Sequence, residues 1–396
     1  MTDRPWLAAY PQGVPADVDL SKYPSLVALM DEAFTKYADR IAYSFMGKDV
    51  TYAQTDSLSN AFAAYLQGLG LVKGDRVAIM MPNVPQYPVT VAAILRAGFV
   101  VVNVNPLYTP RELEHQLKDS GAKAIVIIEN FATTLEQCLV HTPVKHVVLC
   151  SMGDQLGMLK GTLVNYVVRN VKKMVPAFNL PGAVRFNDAV AQGARGAFKK
   201  PDIKPDDIAL LQYTGGTTGV SKGAILLHRN VIANVLQSEA WNDPVMTKVP
   251  EGEQPTSICA LPLYHIFAFT VNMMLSMRTG GKTILIPNPR DLPAVLKELS
   301  KHLPQLSGRE HAVQRAGQPP RLQHRQLAEP QGFRGRGHGR ARCSGQTVAR
   351  KNGLPDLRGL RSVGNQPLGQ LQPGDRQRVH RHHRCALAQH LHEAAR

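Results

Sequence analysis

The chain has 396 residues, 44% of them apolar, which is enough for a large core and for two or three domains of ordinary globular composition. The formal charge of +16 invites a nucleic-acid reading, but residues 303–396 carry 16 Arg and one Lys against five acidic residues, so most of the excess sits at one end. No stretch reaches the ~20 apolar residues of a membrane span. Met1-Thr2-Asp3-Arg4-Pro5-Trp6 lacks the basic start and apolar centre of a secretion signal. Five cysteines without paired spacing argue against a disulfide or metal framework and predict a reducing, cytoplasmic setting.

In chain order, residues 24–67 predict helices, with apolar residues at helical spacing in Ser25-Leu26-Val27-Ala28-Leu29-Met30 and again in residues 59–66. Residues 76–80 read as a buried strand, 89–97 as a helix ended by Gly98, and 99–104 as the next strand. Residues 111–120 predict a helix, 124–128 a strand, and 147–149 a further strand. Strands alternating with helices predict a layered α/β domain with a largely parallel sheet. Residues 283–286 and 292–299 repeat the strand–helix unit in a second subdomain. Between them, residues 155–185 form a basic amphipathic segment in which Leu156, Met158, Leu159, Leu163, Val164, Tyr166, Val167, Val168, Val171 and Met174 interleave with Lys160, Arg169, Lys172 and Lys173. Such a segment either lies on an anionic membrane or packs as a surface helix with a solvated basic face.

The chemistry concentrates in Tyr213-Thr214-Gly215-Gly216-Thr217-Thr218-Gly219-Val220-Ser221-Lys222-Gly223-Ala224. Glycines let backbone N–H groups close on an anion, hydroxyls donate to phosphate oxygens or hold a magnesium ion, and the lysine adds a mobile positive charge. The run is not the P-loop, which needs Gly-Lys-Ser/Thr opening a helix. Here residues 208–213 and 224–227 both read as strands, so the loop joins them as a hairpin flap; an ordinary Gly/Thr turn is the plain alternative. A second motif is Leu261-Pro262-Leu263-Tyr264-His265-Ile266-Phe267, where His265 on an apolar strand reads either as a satisfied core histidine or as part of a pocket with Tyr264, Phe267 and Phe269 as its apolar lining.

With Gly74-Asp75-Arg76-Val77-Ala78-Ile79-Met80-Met81-Pro82-Asn83 and Val104-Asn105-Pro106-Leu107-Tyr108 as support, these motifs resemble the acyl-adenylate-forming ligases, most of all the bacterial long-chain fatty acid–CoA ligases, over roughly residues 1–302. The resemblance implies an adenylate-forming N-terminal domain with ATP, Mg²⁺ and coenzyme A as cofactor and co-substrates. It implies attack of a fatty carboxylate on the α-phosphate, then displacement of AMP by the thiol. It assigns Gly215, Gly216 and Gly219 to wrapping the phosphates, Thr214, Thr217, Thr218 and Ser221 to donating hydroxyls, Thr214 to the metal, Lys222 to phosphate charge, and His265 to the carboxylate. Catalytic roles thus fall on Lys222, His265 and Thr214, nucleotide contacts on Tyr213 through Ala224, and the acyl pocket on Tyr264, His265 and Phe267. Contact at the inner face of the membrane through residues 155–185 fits a long-chain acyl substrate. No nucleic acid is expected, and the oligomeric state is open, a homodimer being one form in the intact family.

The composition breaks near His302. Residues 303–396 contain no Ile, Met, Trp or Tyr and a single Phe, Phe333, and they read as an irregular or disordered basic tail. Segments such as Phe333-Arg334-Gly335-Arg336-Gly337 fit either an RNA-binding arm or a GC-rich gene read in the wrong frame. Codons can be chosen for residues 357–367 that, read one nucleotide later, give CEGYGLSETS, which resembles the family's adenylate-binding motif. Residues 311–320 likewise admit TLFNGLANHP, and residues from Arg378 admit EFTGTIGVPLPSTYMK. Three in-order matches favour a frameshift product beginning near residue 303, with the family's small C-terminal domain absent and the translated chain an inactive fragment. A non-catalytic acyl or membrane binder is the other class the residues allow. Weaker signals are Glu112 and His115 on one helical face without the rest of a metal motif, and His380, His382 and His383 within the tail.

Overall fold

The computed structural model describes residues 4–214, 221–246 and 253–301. Its first elements are α1 (Leu26–Lys36), β1 (Ile41–Phe45), β2 (Lys48–Thr51), α2 (Tyr52–Gly68), β3 (Arg76–Met80), α3 (Gln86–Arg96) and β4 (Val100–Asn103). There follow α4 (Pro110–Ser120), β5 (Ala124–Ile128), α5 (Ala132–Glu136), β6 (His146–Cys150), α6 (Met158–Tyr166), β7 (Val184–Arg185) and α7 (Phe186–Gly193). The last are β8 (Ile208–Thr214), β9 (Lys222–Leu227), α8 (His228–Met246), β10 (Thr256–Cys259), α9 (Ile266–Ala268), α10 (Ser276–Thr279) and β11 (Lys282–Leu285). Residues 292–301 are helical, matching the expected strand–helix repeat. The expected tail lies outside the described residues.

The larger sheet runs β7-β6-β5-β3-β4-β8-β9 and is parallel except for the β8–β9 pair. Its central strands are buried on both faces, which is why they read as continuous apolar runs. Val77, Ile79, Val126, Ile128 and Val148 join one core with α1, α2, α3 and α7. Ala78, Met80, Ile125, Ile127 and Leu149 point the other way into a second core with α4 and α5. The period-2 alternation of the strands therefore divides one sheet between two hydrophobic layers, the expected α/β sandwich.

The smaller sheet, ordered β10-β11-β1-β2, departs from the expectation that residues 24–67 are helical throughout. Helices α1 and α2 are there, but β1 and β2 form an antiparallel hairpin between them. The turn is Met46-Gly47, both with positive φ (49° and 75°), as a two-residue turn of a twisted hairpin demands. A methionine in place of the usual Asn or Gly conceals that turn in the sequence. Strand β1 finds its other neighbour in β11, pairing Tyr43 with Thr283 across 240 residues of chain, a contact no local pattern announces.

The N-terminus of α1 is tied to α8 by a buried histidine. Ser25 caps α1 by accepting from the Ala28 amide, and the Leu26 amide donates to His228 Nδ1 at 3.1 Å. Burial pushes the His228 pKa down to about 4, with Asp207 opposing and Lys73 assisting. The folded state thus binds fewer protons than the unfolded state between about pH 4 and 6.5, so this group's contribution to stability is complete above pH 6.5 and declines as the pH falls toward 4. The full loss is worth about 3 kcal/mol. Urea unfolding from pH 7.5 to 4 should show that slope in the native chain and a flatter one in His228→Gln; equal slopes would contradict the assignment.

Candidate functional site

Strands β8 and β9 form the expected hairpin, with Thr214 paired to Lys222 at its end. Gly215, Gly216, Thr217, Thr218, Gly219 and Val220 lie outside the described residues. What is described is the base of the loop. Ser221 Oγ donates to the Thr214 carbonyl at 3.0 Å, closing the base. His115 Nε2 lies 3.1 Å from the Ser221 carbonyl, a bond formed by the Nε2–H tautomer. The Tyr213 hydroxyl donates to Asp119 Oδ2 at 2.5 Å. Burial, with Asp119 beside it, pushes the Tyr213 phenol well above the usual range and keeps it a donor.

Gly223 sits opposite Tyr213, and a Cβ there would fall 2.8 Å from Cζ of the Tyr213 ring. Glycine at 223 is what lets that ring lie across β9 and reach α4. Helix α4 thus braces the loop through His115 and Asp119. It owes its start to a capping box, in which Glu112 accepts from the Thr109 amide at 2.8 Å and Thr109 Oγ1 accepts from the Glu112 amide. The shared face of Glu112 and His115 is therefore structural. Among the described residues no group of three or more His, Cys, Asp or Glu is arranged to hold a metal. Thr214 and Lys222 stand exposed above this brace, with no side-chain partner among the described residues. Their hydroxyl and ammonium are available to an anion.

The second motif differs in local structure from its expectation. His265 lies not on a strand but at the N-cap of α9, after a turn that leaves β10 at Cys259. The reason is its proline-punctuated approach, Leu261-Pro262-Leu263, which ends the strand, and its own ring, whose Nδ1 accepts from the Phe267 amide at 3.3 Å. With Nδ1 accepting, a neutral ring carries its proton on Nε2, a donor facing solvent from an exposed side chain. Phe267 is exposed and Tyr264 is half-buried. Burial, with Tyr108 nearby, raises the Tyr264 phenol, and Arg290 opposes this.

Side chains absent from the sequence-level assignment bring the two motifs together. Gln212, two residues before Thr214, donates from Nε2 to the Tyr264 carbonyl at 3.0 Å. Its Oε1 accepts from Asn103 Nδ2 at 3.1 Å. The Tyr87 hydroxyl lies 2.7 Å from Asn103 Oδ1 and 2.9 Å from the Leu263 carbonyl. Asn83 Nδ2 donates to the carbonyls of Cys259 and Leu261, both at 2.9 Å, while its Oδ1 accepts from the Leu263 amide at 2.8 Å. All four side chains are buried. A polar residue within an apolar strand, such as Asn103 in Val-Val-Val-Asn or Gln212 in Ile-Ala-Leu-Leu-Gln, is the signal that could have marked them. The cluster sits at the carboxyl ends of β3, β4 and β8, where open parallel sheets place their ligands.

The amphipathic segment is α6 followed by a π-helical turn, Val167–Val171. Its anchor is Glu129, buried, which accepts from Arg169 Nε and Nη2 at 2.9 and 2.8 Å and from Arg185 at 2.9 Å. Arg169 is therefore spent on the fold. Lys160 donates to the Met46 carbonyl. Leu156 and Val168 are buried, but Met158 and Leu159 are each 84% exposed and Leu163 is 62% exposed, with Tyr166 and Val171 also outside. The segment presents an apolar face to solvent rather than a purely basic one. Among the described residues no helix is long and apolar enough to cross a membrane.

The open α/β sheet with its braced β8–β9 hairpin falls within a family match: the model described as AMP-binding enzyme covers residues 30–308. The chain belongs to that family. It is 54% identical over 298 residues to the long-chain-fatty-acid–CoA ligase of Salmonella typhimurium and 35% identical over 309 residues to that of Bacillus subtilis. These alignments take in 75% and 77% of the chain and 52% and 53% of the relatives, so the chain spans about half the length of the curated relatives it matches. Among solved structures, a long-chain-fatty-acid-CoA ligase from Archaeoglobus fulgidus superposes with TM-score 0.54 at 24% identity, covering 70% of this chain and 50% of that one. An anthranilate CoA ligase in complex with anthranoyl-AMP superposes with TM-score 0.58 at 19% identity, covering 72% and 50%. The fold is that of the adenylate-forming ligases.

Proposed function

We propose that the protein derives from a long-chain fatty acid–CoA ligase, which activates a fatty acid with ATP to acyl-AMP and passes the acyl group to coenzyme A. The observation that carries this reading is the hairpin end, where Thr214 and Lys222 stand side by side on a base locked by Ser221, His115 and Asp119. The first step brings a carboxylate to a triphosphate, so neutralising charge dominates its barrier. Lys222 balances phosphate charge, Thr214 donates its hydroxyl, and the Nε2–H of His265 steadies the carboxylate beside Tyr264 and Phe267. Gly215 to Val220 complete the phosphate wrap in this reading. A Mg²⁺ ion fits the site only as a companion of the nucleotide: Thr214 offers one hard oxygen, and phosphate oxygens and water supply the others. Bound there, it would add positive charge against the phosphates.

Residues from about 303 onward are proposed to be an out-of-frame product. The break in composition near His302 and the end of the family match at residue 308 support this. The adenylate-binding motif is then encoded but not translated, and the chain as translated is inactive. The test is ATP–pyrophosphate exchange with palmitate. The 396-residue chain should give no exchange, and a gene with one nucleotide corrected near codon 303 should restore it. Exchange by the uncorrected chain would show that residues 1–302 suffice and would end the inactive-fragment reading. No exchange after correction would end the frameshift reading.

A second surface is proposed to rest on the inner face of the membrane. The exposed apolar side chains of α6 and the π-turn, with Lys172 and Lys173 beyond them, match an anionic bilayer that also holds the acyl substrate. The setting is then cytoplasmic with peripheral membrane contact.

A further inference from the structure

We infer that Gln212 is a positioning residue that holds the Tyr264–Phe267 acyl segment in place beside the phosphate hairpin, and that it governs acid binding without governing nucleotide binding. The inference rests on the reading of Tyr264, His265 and Phe267 as the acyl pocket.

The two halves of the site are held in different ways. Thr214 is held by the sheet: its strand pairs with β4 on one side and β9 on the other, through backbone bonds that do not involve the Gln212 side chain. The segment after Cys259 has no such ladder. It leaves β10, turns at Pro262, and carries Tyr264 and His265 on irregular backbone before α9 begins. Side chains hold it. Asn83 takes its first half, at Cys259, Leu261 and Leu263, and Gln212 takes the Tyr264 carbonyl, next to His265.

Gln212 is itself fixed from behind, because its Oε1 accepts from Asn103 Nδ2 and the Asn103 backbone carbonyl in turn accepts from Gln116 on α4 at 2.7 Å. One amide thus gives each of its ends a single task, one toward the sheet and one toward the pocket. A buried amide with both ends committed is costly to replace by an apolar group, since two partners lose their bonds at once. The cost falls on the Tyr264 carbonyl, since the other side-chain tethers of this segment among the described residues, Asn83 and Tyr87, reach only as far as Leu263.

Two variants separate this from a general structural role. Gln212→Met keeps length and removes both bonds. Gln212→Glu keeps shape and can still accept from Asn103, but its ionised carboxylate cannot donate to the Tyr264 carbonyl. In calorimetric titrations of the full chain, palmitate affinity should fall about tenfold in both variants, while Mg-ATP affinity stays within about twofold of the parent. Loss of both affinities together, or an unchanged palmitate affinity in either variant, would overturn the inference. A parent chain that binds Mg-ATP but no palmitate would fail the acyl-pocket reading and take this inference with it. A parent that binds palmitate alone would fail the phosphate reading, and the palmitate ratio would still decide this one.

Discussion

Lys222→Ala should lower ATP–pyrophosphate exchange by at least about tenfold in the frame-restored protein, and Thr214→Ala should do the same. A tenfold loss corresponds to ~1.4 kcal/mol of transition-state stabilisation, the lower end of what one hydrogen bond to a charged group contributes. The hairpin should survive both changes. Thr214 and Lys222 face each other through the β8–β9 ladder, and their side chains are exposed, so truncation removes chemistry rather than packing. The brace of Tyr213, Asp119, His115 and Ser221 beneath them is untouched. The lysine is expected to act on the phosphates as charge builds up during attack, so the loss should appear in the turnover of the exchange more than in the KM for ATP. Pyrophosphate release at the parental rate in either variant would remove that residue from the mechanism.

Leu159→Asp combined with Leu163→Asp should reduce co-sedimentation of the chain with anionic liposomes by at least about tenfold. These side chains are 84% and 62% exposed, so their replacement leaves the core intact. On a bilayer each leucine would bury enough apolar surface to contribute about 1.5–3 kcal/mol, and each aspartate adds repulsion from the lipid headgroups. Binding by the parent should also weaken as salt rises, because Lys172 and Lys173 contribute through charge. A parent chain that stays in the supernatant with anionic vesicles would end the membrane reading. The anchor for this face lies inside, where Glu129 holds Arg169 and Arg185, so the π-turn has a fixed base from which to present its apolar residues.

Much of the fold was legible because its signals are local. The run Ala124-Ile125-Val126-Ile127-Ile128 is apolar throughout because both faces of β5 are covered, and it was found at its observed bounds. Helix α4 begins where its capping box begins, and the two strands around the phosphate loop flank it as a hairpin. The β1–β2 hairpin is hidden in the sequence because its turn is Met46-Gly47 and its sheet partner is β11. The apolar neighbours of His265 suggest a strand, but β10 ends at Cys259 and the chain turns through Pro262 before α9 begins. At the site, Thr214, Lys222 and His265 stood out by residue type alone. Asn83, Tyr87, Asn103 and Gln212 did not, since a single amide in an apolar stretch looks like a satisfied core residue until its partner is known.

By itself the sequence pointed to the family this chain belongs to, the run proposed to grip phosphate, and the place near residue 302 where its composition changes. Those are properties of residue type and short spacing. Only the tertiary structure decided that His115 and Asp119 brace the base of the β8–β9 hairpin, that Gln212 ties β8 to the segment before α9, and that Arg169 serves the core while Leu159 faces solvent. The physical reason is that a hydrogen bond between residues 52 or 94 positions apart is specified by where strands and helices place backbone and side chain. That placement follows from burying two hydrophobic layers against one sheet.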